Sequence, residues 1–103
     1  MIQSITPAEL KKRLASGEDI QLIDVRELWE HEFFNVGGNH IPLGELMENV
    51  DMISIITPVV FYCQKGIRSQ IAIQRLQQKF AFKNLLNLSG GMEAWKANNA
   101  PAK

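Results

Sequence analysis

The chain has 103 residues, 46% of them hydrophobic and 21% charged, with Lys plus Arg matching Asp plus Glu at 11 each. A chain of this length suits one domain, residues 1–103, with a single core that removes roughly 60–70% of its unfolded surface from water. Balanced charge excludes a broad field for nucleic acid or an anionic membrane, and ordinary Gly and Pro usage excludes disordered and fibrous classes. The only cysteine, Cys63, cannot form an intrachain disulfide and suits a reducing compartment, so the expected location is the cytosol. The sequence opens without a basic stretch followed by an apolar one, and no run approaches the ~18 apolar residues of a membrane span. An unexported protein without a membrane segment is expected.

Ser4-Ile5-Thr6 reads as a short edge strand. Pro7 suits the first position of a helix with Thr6 as N-cap and Glu9 at the capping-box spacing. Leu10, Leu14 and Ala15 form its apolar stripe, Lys11, Lys12 and Arg13 its solvated face, and Gly17 ends it. Residues 20–25 are β-branched and mostly apolar, as in a strand covered on both faces, with Asp24 near its carboxyl end. A short helix over 27–34, a turn over 35–39, an extended piece over 40–42 and another short helix over 44–50 follow; residues 53–56 either extend that helix or turn.

Pro58 introduces the strongest strand, Val59 to Tyr62. Ile67, Ile71, Ala72, Leu76 and Phe80 recur at helical spacing and mark the longest helix, residues 85–88 a final strand, and residues 92–97 a terminal helix. Alternating strands and helices predict an α/β sandwich with a mostly parallel sheet, where ligands bind beyond the carboxyl ends of the strands. Asp24 and Cys63 both lie at such ends and are expected to face one crevice.

Cys63 stands between the strand and the loop Gln64-Lys65-Gly66-Ile67-Arg68-Ser69, which leads into the long helix. Unpaired backbone amides at a helix start favour a thiolate or an anion, and Gly66 permits the turn that aims consecutive amides inward. Lys65 and Arg68 add positive charge beside the thiol, an arrangement that lowers a cysteine pKa toward neutrality. A merely structural cysteine needs no such cradle, so Cys63 is the candidate nucleophile.

This loop resembles the active-site loop of rhodanese-like sulfurtransferases. Asp24-Val25-Arg26-Glu27 resembles the family's Asp-x-Arg segment, and Gly38-Asn39-His40-Ile41-Pro42-Leu43 its central Gly-His-Ile-Pro region with one residue inserted. Gly90-Gly91-Met92-Glu93-Ala94-Trp95 resembles its carboxyl-terminal Gly-Gly-x-x-Ala-Trp signature. The motifs stand in the family's order and span nearly the whole chain. The resemblance implies a three-layer α/β/α sandwich with a five-stranded, mainly parallel sheet. It also implies sulfur transfer: Cys63 takes a sulfane sulfur from thiosulfate or a persulfide and holds it as a persulfide against the amides of residues 64–69. It then yields the sulfur to a thiol, to cyanide or to a sulfur-carrier protein, with no metal or organic cofactor. The segment 37–46 further resembles rhodanese domains associated with ubiquitin-activating-like adenylyltransferases, which supply sulfur to carrier proteins.

Four residues separate Cys63 from Arg68. Cysteine phosphatases, including a cell-cycle type that shares the rhodanese fold, have five, which widens the cradle for a phosphate ester. The shorter loop leaves room for one added sulfur and favours sulfur transfer over phosphatase chemistry. A second alternative is a rhodanese-fold binding or regulatory module with an idle cysteine. Lys65 is expected to meet the incoming anion, and Arg68 to brace the loop through a carboxylate or backbone carbonyls. The resemblance assigns Asp24 and Arg26 to a polar network supporting the loop, and their spacing on an extended segment places them on one face. His31 is expected at the surface and His40 in a hydrogen bond within its turn, with no metal site between them. Trp29 and Trp95 are expected to pack their helices, although an aromatic at the crevice rim also suits partner docking.

Overall fold

Val59–Tyr62 is the middle strand of a five-stranded sheet, and all four of its residues are buried. The computed structural model describes residues 2–99. In chain order the elements are β1 (Gln3–Ile5), α1 (Pro7–Ala15), β2 (Gln21–Asp24), α2 (Leu28–Phe33), β3 (Asn39–His40), a 3-10 helical segment (Leu43–Met52), β4 (Val59–Tyr62), α3 (Ile67–Lys79), β5 (Leu85–Leu88) and α4 (Gly91–Asn99). The sheet runs β1-β5-β4-β2-β3, and every pairing is parallel. The mainly parallel sheet expected from sequence is therefore parallel throughout.

Parallel strands need a covering layer on each face, which is why β4 reads as an apolar run without alternation and why neighbouring Leu22 and Ile23 of β2 are both buried. On one face Ile23, Phe61 and Val59 pack with Ile73 and Leu76 of α3 and Leu46 of the 3-10 segment. On the other, Leu22, Val60 and Tyr62 pack with Leu10 of α1 and Met92 of α4. Each fully buried side chain of this size contributes about 1.5–3 kcal/mol from leaving water. Successive strand residues point to opposite faces, so Cys63, just past β4, joins the Phe61 face and meets the start of α3.

The amino-terminal capping box is present: the Thr6 side chain accepts from the Glu9 amide, and Glu9 accepts from the Thr6 amide. Lys11 departs from the solvated face, since its ammonium donates to the Trp95 carbonyl and to Asn98 and lies over the Trp95 ring. Residues 44–50 lie within a 3-10 segment rather than an α-helix, broken where Asn49 leaves helical geometry at φ −122°. Residues 53–56 turn, held by the Gln21 side chain at the Ser54 amide and by the Ser54 hydroxyl at the amides of Ile56 and Thr57. In α3 the buried stripe is Ser69, Ala72, Ile73 and Leu76; Ile67 and Phe80 stand outside it at 63% and 38% exposure. Among the described residues no helix is long and apolar enough to cross a membrane.

Candidate active site

Cys63 is 1% exposed, and three polar groups converge on its sulfur. The Gly66 amide donates to Sγ at 3.1 Å and the Ser69 amide at 3.4 Å, while the Ser69 hydroxyl lies 3.4 Å away. Gly66 makes this geometry possible as the residue before α3, with φ +91° and a backbone so close to Gly90 that a Cβ would sit 3.1 Å from the Gly90 nitrogen. Ser69 in turn donates to the Asn87 side-chain oxygen, whose orientation is fixed because the Asn87 amide group donates to the Gly66 carbonyl at 3.4 Å. The hydroxyl has one proton and gives it to Asn87, so a neutral Cys63 thiol donates to Ser69.

The start of α4 shapes the other side of the loop. Its Met92 and Glu93 amides donate to the Cys63 and Gln64 carbonyls at 2.9 and 3.0 Å, giving unpaired helix-start amides their acceptors. Among the described residues all peptide bonds are trans, so with these carbonyls drawn toward α4 the Gln64 and Lys65 amides point away from it. The Gly90-Gly91 pair serves this approach.

Behind the loop lies a buried polar network. Asp24 is fully buried; Arg26 grips its carboxylate through Nε at 3.0 Å and Nη2 at 2.9 Å. Arg26 also donates through Nη1 to Gln64 at 3.2 Å and through Nη2 to the Phe34 carbonyl at 2.5 Å. Burial alone would push the Asp24 carboxyl up, but hydrogen bonds from the Arg26 side chain, His31 and the Arg26 amide hold it below its ordinary value. Asp24 therefore does not face the crevice with Cys63; it acts at one remove, through Arg26 and Gln64.

His31 is a member of this network rather than a surface residue. Its Nδ1 lies 2.8 Å from the Asp24 carboxylate, which can only accept, so Nδ1 carries a proton. His40 stacks on it at 4.6 Å and donates from Nε2 to the Arg26 carbonyl at 2.8 Å, across the chain rather than within its own turn. Trp29 does not pack its helix, being 70% exposed, whereas Trp95 packs against the α1 and α4 side of the core.

Arg68 forms a two-pronged pair with Glu30 at 2.7 and 2.8 Å, so its fork ties α2 to α3 through a carboxylate. Arg68 holds the Glu30 carboxyl far below its ordinary 4.5, at about 2, helped by the Glu27 amide. Lys65 is 68% exposed and 4.0 Å from Glu93. A depression of about 350 Å³ opens over the sulfur, lined by Glu30, Cys63, Gln64, Lys65, Ile67 and Arg68.

The Glu30 pair has a distinct acid signature. Glu30→Gln is expected to destabilise the fold by about 1–2 kcal/mol at neutral pH, as one charge-assisted contact is lost. Because the folded-state value is depressed, the gap to wild type is full above pH 4.5 and closes as pH falls from there toward 2. Denaturation midpoints of both proteins measured across that range check this; a pH-independent gap would show that the pair does not stabilise the fold.

The loop residues 64–69, with Cys63, Asp24 and Arg26, thus gather at one end of the sheet. Sequence reasoning missed Glu30, His31 and Asn87. Glu30 stands at capping-box spacing from Glu27, and Asn87 interrupts a strand of leucines, so each carried a local signal.

The family described as Rhodanese-like domain matches residues 6–98. YtwF of Bacillus subtilis, named as a candidate sulfurtransferase, is 34% identical over 101 residues, which cover 97% of this chain and 96% of that protein. GlpE of Coxiella burnetii, named thiosulfate sulfurtransferase, is 33% identical over 87 residues, covering 84% and 80%. The chain spans only about half (51%) of the Bacillus subtilis relative YrkF and 26% of the Mycobacterium tuberculosis adenylyltransferase/sulfurtransferase relative MoeZ, to which it is 31% identical. The solved rhodanese-related protein of Thermoplasma volcanium superimposes with a TM-score of 0.81 at 27% identity, covering 96% of this chain and 95% of that one. A family match over nearly the whole chain, on a five-stranded sheet that aims a cysteine at a helix start, leads to one conclusion: the chain belongs to the rhodanese-like domain family.

Proposed function

We propose that the protein is a sulfurtransferase that carries sulfur as a persulfide on Cys63. The observation that supports this reading best is the convergence of the Gly66 and Ser69 amides on the Cys63 sulfur. Such donors stabilise a sulfur anion as an oxyanion hole stabilises oxygen. In the first half-reaction the Cys63 thiolate attacks the outer sulfur of thiosulfate or an organic persulfide; the donor's S–S bond breaks, a new S–S bond forms on Cys63, and sulfite or the thiolate leaves with the electron pair. In the second, a thiolate or cyanide attacks the outer sulfur on Cys63, the S–S bond breaks and the Cys63 thiolate returns. Sulfane sulfur changes hands without net oxidation or reduction.

Lys65 meets the anionic donor at the rim, while Arg68, Asp24 and Arg26 hold the loop in shape. Neither role needs a metal or organic cofactor. The relatives named for sulfur transfer, including a thiosulfate sulfurtransferase, favour this reading. A cytosolic setting would keep the lone thiol reduced, and a protein thiol there is the natural acceptor.

Intact-mass measurement after incubation with thiosulfate or cysteine persulfide is expected to show one added sulfur, removed by cyanide or dithiothreitol. Cys63→Ser is expected to add none. Wild-type protein that gains no sulfur from either donor would overturn the proposal, and turnover of an aryl phosphate would favour a phosphatase instead.

A further inference from the structure

A surface helix of a soluble protein ordinarily turns its apolar side inward. In α2 the pattern is reversed. Glu30 and His31 face inward to Arg68 and Asp24, while Leu28, Trp29 and Phe33 are 57%, 70% and 83% exposed, and no residue of the helix is fully buried. The helix is held by ion pairs and hydrogen bonds, and its aromatic residues stand outside the core.

Trp29 and Phe33 border the first of two adjoining depressions that together form a groove beside Cys63. A depression of about 260 Å³ has Trp29, Phe33 and Phe34 among its walls and Lys96 at its rim. It shares Glu30 and Gln64 with the depression over Cys63, so the two adjoin at those residues. Ile67, 63% exposed, stands on the sulfur side. Charge in the groove is unequal: Arg26 is matched by Asp24, Arg68 by Glu30 and Lys65 loosely by Glu93. Lys96 lies 4.5 Å from the Phe34 ring and makes no ion pair among the described residues.

We propose that this groove docks an extended segment of the protein that exchanges sulfur with Cys63, a segment carrying a thiol, an apolar side chain and a carboxylate. Its thiol reaches the sulfur, its apolar side chain covers Trp29 and Phe33, and its carboxylate meets Lys96. A second copy of this face fits less well, because a self-complementary contact offers Lys96 only the Glu30 carboxylate from the groove lining, and Arg68 already holds it. The inference rests on the sulfurtransferase reading for the chemistry of the thiol, and on geometry and charge for the rest.

The test uses the intact chain and capped peptides containing Asp-Leu-Gly-Cys in either chain direction, with controls bearing Lys for Asp or Ser for Leu. Persulfide-loaded protein is expected to pass sulfur to the acidic apolar peptide with kcat/KM about tenfold above either control. Trp29→Ala combined with Phe33→Ala is expected to lower that rate about tenfold relative to the cyanide rate, and Lys96→Glu to reverse the preference between Asp and Lys peptides. Equal rates for the three peptides, or equal losses toward peptide and cyanide, would overturn the docking proposal. Failure to load sulfur from any donor would instead overturn the proposed function, and the groove is then judged by binding alone. The serine-for-cysteine peptide is expected to shift the emission of wild-type protein but not that of Trp29→Phe, where Trp95 remains. Absence of that shift, or a concentration-dependent dimer abolished by Phe33→Ala, would overturn the groove assignment.

Discussion

Asp24→Ala is expected to destabilise the protein by about 3–5 kcal/mol, the effect of stranding one charge of a buried ion pair. The Arg26 side chain is 3% exposed, and Asp24 is its carboxylate partner, with three side-chain hydrogen bonds between them. Removing Asp24 also leaves His31 Nδ1 without its acceptor. Chemical denaturation followed by circular dichroism measures the loss; a loss below about 1 kcal/mol would show that Arg26 finds water in the folded state. Asp24→Asn is expected to fall between the two, since its amide oxygen still accepts while the charge is gone. The depressed Asp24 value sets the sign with pH: its stabilisation is present above the ordinary carboxyl range and fades as acid protonates the folded-state carboxylate. Sulfur loading should fall along with stability, because Gln64 in the cysteine loop takes a hydrogen bond from Arg26.

Gly91→Ala should be the most damaging change to the site that leaves every polar side chain in place. A Cβ at Gly91 would lie 2.3 Å from the Cys63 carbonyl oxygen and 2.7 Å from the Gln64 carbonyl carbon, both backbone atoms, and the residue has φ +60°. The left-handed conformation alone adds about 1–2 kcal/mol. Forcing the loop off α4 adds about 1–3 kcal/mol more and tilts the carbonyls that aim its amides. Gly17→Ala is the control: φ is +85° there, but nothing lies within 4 Å of the added carbon. The difference in unfolding free energy between the variants isolates the steric part, and only Gly91→Ala should slow sulfur loading. Equal losses in the two would mean that the loop yields at no cost.

The parts of the fold visible in the sequence are those where one local signal dominates. β4 and β5 fall at the residues their apolar runs predict, and the Thr6 to Glu9 capping box opens α1 as its spacing requires. The cysteine loop was legible for the same reason, since a strand, a glycine and a helix start are neighbours in sequence. α2 was harder to read because its inward side is polar: a histidine between two glutamates looks like a solvated face until a buried carboxylate, seven residues earlier on β2, claims it. Trp29, expected to pack its helix, lies instead on the reversed face, where it lines the depression beside the site as an aromatic at the crevice rim. Ile67 keeps helical spacing but occupies the first turn, where α3 emerges at the mouth of the site. Residues 43–52 wind as a 3-10 segment because Pro42 fixes the entry and Asn49 breaks the path, a geometry that apolar spacing does not distinguish from an α-helix.

The edge strand β1 bonds only to β5, where Gln3 lies opposite Leu86, although the two are at opposite ends of the described chain. Within this domain β1 has nothing to join until β5 has been made. The loop closure that unites them is entropically long-range, so the sheet keeps an open β5 position until residues 85–88 have been made. Residues 3–5 should consequently be the last strand to gain amide protection in refolding, although they precede the other four strands in the chain.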